Sequence, residues 1–182
     1  MSRKTFSFIL TALALALFII AMIFLTLDCG KLTIAAGPMK QSGTISGYDA
    51  IFGDSKDQYK FNALNFTTFM LCLVVIALLA VRLVLKFLNK SEKAIKILGI
   101  VNGVLALVCG IMLILIPQFA TKTDEFKTVI KGYELLGAKV TETIKVGIIL
   151  AGIASIGAGI FEFVDTFALK LFFGKKHQAE LN

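Results

Sequence analysis

Four long apolar runs constrain this 182-residue chain more than any other feature of its sequence. They extend from about Phe6 to Leu27, Leu64 to Leu88, Ile95 to Ile116 and Ile144 to Phe173. A bilayer core of about 30 Å is crossed by about 20 apolar residues in a helix that rises about 1.5 Å per residue. Lipid offers backbone N–H and C=O groups no water, so each run must satisfy its own backbone as a helix. Composition agrees: 57% of residues are hydrophobic and the mean hydropathy is +0.86, above the usual apolar share of roughly half. The expected fold class is all-α, a four-helix transmembrane bundle forming one membrane domain over 1–182.

The edges of the runs carry their own signals. Arg3 and Lys4 precede the first run, as in a secretory leader, but its exit reads Leu25-Thr26-Leu27-Asp28-Cys29, with no small residue ahead of the cysteine. A retained span is expected. Between the second and third runs, Asn89-Lys90-Ser91-Glu92-Lys93 is short and polar, which suits a tight turn between antiparallel helices. Pro117 is expected to end the third helix, because proline disfavours helical conformation in the residue before it. The fourth run exceeds the length of a span. Its end, Phe163 to Phe173, is expected along the inner headgroup region, anchored by Lys170, Lys175 and Lys176.

The net charge of +7 is read as topology and not as nucleic-acid binding. About ten Lys and Arg fall in roughly 25 residues of the two tails and the turn near residue 90, against about nine in roughly 60 residues of the other loops. The dense segments belong inside, so both termini are expected to be cytoplasmic and the protein to lie in the plasma membrane. The outer loops are then about 28–62 and 118–143. The first holds Leu32-Thr33-Ile34, a Gly37-Pro38 turn signal and a run from Gly43 to Gly53, which suggests a hairpin or other small ordered loop. In the second, Phe126, Val129, Ile130 and Tyr133 recur at helical spacing. They predict a short amphipathic helix, with Thr123 or Asp124 as cap and Gly137 as stop.

Four spans, cytoplasmic ends and a longer first outer loop resemble the layout of claudins and other tetraspan proteins. Claudins carry a Trp and paired cysteines in that loop, whereas this chain has no Trp and only Cys29 there, so their paracellular function does not carry over. The string Gly47-Tyr48-Asp49-Ala50-Ile51-Phe52-Gly53 is similar to the first loop of uncharacterised four-span proteins of low-GC Gram-positive bacteria. That likeness implies no particular activity.

A few residues break the membrane pattern. Glu162 and Asp165 stand three apart in the fourth run, on one helical face, and intramembrane acids usually face a protein interior or a wet cavity. Arg82 lies at matching depth in the second run and is the natural partner; otherwise each charge reaches water or headgroups at the inner edge. Small residues form two stripes, Gly99, Gly103, Ala106 and Gly110 in the third run and Gly147, Ala151, Ser155 and Gly159 in the fourth. Such stripes let helix backbones approach closely, and Asn102 beside the first is expected to hydrogen-bond a neighbouring helix. Cys72 and Cys109 are expected to be small packing residues.

No metal or cofactor is implied, since the three cysteines form no C-x-x-C and the chain has a single histidine, His177. The lipid bilayer is the expected partner, with a homo-oligomer or a larger membrane complex possible. The favoured class is a non-enzymatic structural or accessory protein. A small oligomeric transporter or channel using Glu162, Asp165 and Arg82 is the alternative. An intramembrane enzyme is disfavoured because no nucleophile and base are visibly paired.

Overall fold

The computed structural model of the protein describes residues 3–168. The end of the fourth run, with Lys170, Lys175, Lys176 and His177, lies outside the described residues. Four helices are long and apolar enough to cross a membrane, over Lys4–Phe24, Ala63–Phe87, Glu92–Phe119 and Val146–Ala168, and the chain is a four-span, multi-pass membrane protein.

The elements in chain order are α1 (Arg3–Phe24), β1 (Asp28–Ala36), β2 (Met39–Ser46), α2 (Gly47–Phe52), β3 (Tyr59–Lys60), α3 (Ala63–Phe87), α4 (Glu92–Phe119), β4 (Thr121–Lys122), α5 (Asp124–Leu135), β5 (Lys139–Ile144) and α6 (Val146–Phe163). A π-helical turn, Val164–Ala168, continues α6. The fold is therefore mostly helical but not all-α. The strands β2-β1-β5 form an antiparallel sheet, and β3 and β4 form a two-stranded ribbon.

The chain divides into two compact units, with the division falling inside the four long helices. One unit comprises residues 1–20, 71–110 and 153–182. Its described part is built from helix alone. Its interior holds Ala14, Phe18, Cys72, Val75, Leu79, Ala106, Cys109 and Ala158, with the polar side chains Thr11, Arg82, Asn102, Ser155 and Glu162 buried among them. Gly159 lies so close to α4 that a Cβ there would come within 3.0 Å of the Gly103 carbonyl. Beside that approach, Ser155 Oγ donates to the Ala106 carbonyl at 2.8 Å.

The other unit comprises residues 21–70 and 111–152 and holds every strand. Gly37, at φ +58°, makes the β1–β2 turn with Pro38. Strand β5 then pairs with the other side of β1, from Gly30↔Ile144 to Ala35↔Lys139. The segment from Gly47 is helical and not extended, because Ser46 and Asp49 close a reciprocal capping box at its start. Helix α5 starts at its Thr123 cap and ends two residues before Gly137, whose φ is +81°.

Pro117 lies inside α4, which continues to Phe119, and so does not end that helix. In the last turn, carbonyls have lost their intrahelical partners, and side chains of α3 and its cap replace them. Asn65 Nδ2 donates to the Ile116 carbonyl, and Asn62 Nδ2 donates to the Phe119 carbonyl and to the Thr121 hydroxyl oxygen.

Candidate functional site

The most polar buried place in the helical unit is built from four helical segments. Arg82 and Lys86 are four residues apart on α3 and so share a face, as do Glu162 and Asp165 on α6 and its π-helical turn. Arg82 Nη1 donates to Glu162 Oε2, and Arg82 Nη2 stands 2.7 Å from Asp165 Oδ2. Lys86 Nζ donates to the same Asp165 oxygen. Two cations and two carboxylates therefore balance with essentially no solvent contact.

The remaining donors are also used. Arg82 Nε donates to the Ile95 carbonyl at 3.0 Å, Nη2 to Thr166 Oγ1 at 3.0 Å and Nη1 to Thr11 Oγ1 at 3.4 Å. Lys86 Nζ reaches the Ser7 carbonyl at 2.9 Å and Thr11 Oγ1 at 2.5 Å. Gly99 makes room for the guanidinium: a Cβ there would lie 2.4 Å from Arg82 Nη2 and 2.2 Å from Thr166 Oγ1. On the acceptor side the cluster is incomplete. Glu162 Oε1, Asp165 Oδ1 and both polar atoms of the Asn102 side chain are buried with no hydrogen-bond partner among the described residues.

The structure thus brings Arg82, Glu162 and Asp165 together and adds Lys86, Thr11 and Thr166. Among the described residues the Asn102 side chain has no hydrogen-bond partner, and Ser155 bonds from α6 to α4 instead. Gly103 and Gly159 stand at close approaches; a Cβ at Gly103 would come within 3.0 Å of the Phe163 ring. Gly110 and Ala151 are buried, and Gly147 packs in the strand-bearing unit against Leu27 and the Asp28 carbonyl. Cys29, Cys72 and Cys109 are free, buried thiols, and no group of three or more His, Cys, Asp or Glu is arranged for a metal among the described residues.

A second feature lies in the strand-bearing unit. A half-open groove of about 400 Å³ runs between β1, β2 and α5, and its lining includes Leu32, Ile34, Gln41, Tyr59, Phe126 and Tyr133. The Tyr59 and Phe126 rings meet at 5.8 Å. Burial, with Glu142 nearby, pushes the Tyr59 hydroxyl up to about 12, so it remains a neutral donor. No signal in the sequence foretold this groove, because its walls come from segments far apart in the chain.

No protein-family model matches this chain, and no curated protein matches it either. The tetraspan likeness therefore rests at four long apolar helices with a small sheet, two of whose strands lie between the first two spans.

Proposed function

We propose that the chain is a non-enzymatic structural or accessory membrane protein that works by protein–protein contact, in a homo-oligomer or a larger complex. One observation carries this reading. Leu135 and Leu136, outside the four spans, are 88% and 83% exposed, next to the partly exposed Tyr133 and Val129. Large apolar side chains left this exposed outside the spans mark a candidate interaction site. The ion cluster supports a structural role as well, since its opposite charges already neutralise one another. The native mass in detergent, with and without Leu135→Glu/Leu136→Glu, tests the proposal. The parent should run as an oligomer or with a co-purifying partner, and the variant should lose it. A parent that is monomeric and without a partner would overturn the reading.

The same reading places the protein in the plasma membrane with both termini in the cytoplasm, supported by the dense lysines and arginines of the tails and of the turn near residue 90. A tag near Lys90 should report cytoplasm, and tags near Ser55 and Thr128 the exterior. A cytoplasmic report at Ser55 would reverse this orientation.

A second reading, a small oligomeric transporter or channel, is favoured by the unpartnered Glu162 Oε1, Asp165 Oδ1 and Asn102 side chain. Buried polar atoms without partners are places where an ion or water fits. Glu162→Gln should then abolish ion flux in reconstituted vesicles while leaving the protein folded.

A further inference from the structure

The β-sheet has two unlike faces. Side chains alternate along each strand, so the register fixes which residues stand together. On one face, Leu32 and Ile34 of β1 line the groove against α5, and Glu142 pairs with Lys122. The other face forms three cross-strand rows centred on β1. Lys40 and Lys139 flank Ala35 in the first row, Ser42 and Thr141 flank Thr33 in the second, and Thr44 and Thr143 flank Lys31 in the third. This face carries three lysines, a set of hydroxyls and one alanine, and no acid.

Among the described residues this face stays open, although Ser42 and Thr44 also border the groove against α5. Every flanking position on β2 and β5 in these rows is exposed, and the central β1 positions are partly so. None of the three lysines makes an ion pair among the described residues. With strands about 4.8 Å apart, Lys40 and Lys139 are separated by about 10 Å across the sheet, and Lys31 lies about 13 Å along it from their row. Three unneutralised ammonium groups thus surround a flat field of hydroxyl donors.

We propose that this face binds a linear polyanion bearing phosphate groups. Lysine suits a phosphate as a mobile point charge on a flexible stem. Protein partners need apolar or aromatic anchors, and Ala35 is the face's single apolar side chain, so an acidic protein is the poorer fit. Single-stranded nucleic acid needs aromatic stacking platforms, and the face has none. Lipid headgroups fit less well too. The Lys145 N–H bonds the Cys29 carbonyl at the foot of the sheet, and the Lys40–Lys139 row lies about 20 Å further along β1. This inference goes beyond the proposed function and does not rest on it.

The test is binding of labelled linear polyphosphate to the full chain in uncharged detergent. Lys31→Gln/Lys40→Gln/Lys139→Gln should weaken binding about a hundredfold, given the usual contribution of a lysine near an anionic surface. Lys56→Gln/Lys127→Gln/Lys131→Gln, which removes the same charge elsewhere in the unit, should leave it within about threefold, a margin for the general electrostatic term. Ala35→Glu, a single carboxylate between the two flanking lysines, should abolish binding. In the unmutated protein, polyphosphate should shield Lys31, Lys40 and Lys139 from acylation, a readout that needs no variant. Equal loss in both triple variants, absence of shielding, tighter binding of poly-glutamate, or binding only to anionic-lipid vesicles would each overturn the proposal.

Discussion

Arg82 Nη2 stands 2.7 Å from Asp165 Oδ2, while the other arm of the same guanidinium holds Glu162, so one buried cation ties two carboxylates of one helix end to α3. The two acids are not equivalent. Asp165 also holds Lys86, whereas Glu162 has no second cation among the described residues. Removing Arg82 therefore strands Glu162 and leaves Asp165 paired. Arg82→Ala should destabilise the protein by about 3 to 5 kcal/mol, the usual effect of breaking a buried pair. Adding Glu162→Ala should recover part of that loss, and adding Asp165→Ala should not, because the second change strands Lys86. Unfolding of the single and double variants in detergent decides this, and purely additive effects for both acids would refute it.

Gly99 supplies a second prediction. A methyl group at this position would overlap the Arg82 guanidinium and the Thr166 hydroxyl, both held in place by the ion cluster. Gly99→Ala improves helix propensity and should nonetheless destabilise by about 1 to 3 kcal/mol, the usual effect of overpacking. The same measurement on Val104→Ala, at a position 48% exposed on the same helix, should show little change. Similar melting temperatures for the two variants would mean that α4 shifts freely to accommodate the methyl.

The spans were legible because length and apolarity suffice to mark them; their ends were less so. The first apolar run reads to Leu27, but α1 stops at Phe24, where Leu25, Thr26 and Leu27 close a tighter turn onto Met22, Ile23 and Phe24. Strand β5 was not legible. Lys139-Val140-Thr141-Glu142-Thr143-Ile144 is a short polar alternation whose partner β1 lies more than a hundred residues away, as the bond from Thr143 to the Lys31 carbonyl illustrates. Counting inward from the span ends made Arg82 and Glu162 candidates for each other. Counting could not recruit Thr11 or Thr166, since hydroxyls are ordinary in membrane helices. Lys86 did carry a signal, its spacing of four from Arg82, but a lysine near a span end reads first as an anchor.

Cys29 predicts a pH dependence. Burial pushes its thiol from 9.0 up to about 12 in the folded chain. Because the folded value lies above the unfolded one, the folded state keeps the proton longer. The stability associated with the protonated, buried Cys29 thiol is fully present below about pH 9 and is lost as pH rises from about 9 toward 12. In that window the parent should lose stability more steeply than Cys29→Ala, and the thiol should resist alkylation at pH 9 until the protein is unfolded. Parallel pH curves, or prompt alkylation of the folded protein, would contradict the burial.

Asn65 is the last test, because it connects three parts of the strand-bearing unit through one side chain. Its Nδ2 donates to the Ala50 carbonyl in α2 at 2.9 Å and to the Ile116 carbonyl in α4 at 3.1 Å, and the residue is 1% exposed. The Ile116 carbonyl belongs to the final turn of α4, and Ile116 is fully buried, so water does not reach it. Asn65→Leu keeps the branched shape but removes the donor to both carbonyls, so it should destabilise by about 1 to 3 kcal/mol for each carbonyl left dry and unpaired. Asn65→Asp should be at least as harmful, because it replaces the donor with an acceptor facing two acceptors. Asn62 makes comparable bonds to Phe119 and Thr121 in a more exposed setting, where water can substitute, so Asn62→Ala should have a smaller effect. Denaturant unfolding of the three variants ranks them. If Asn62→Ala were the most damaging, the end of α4 would be held chiefly by its outermost turn and not by Asn65.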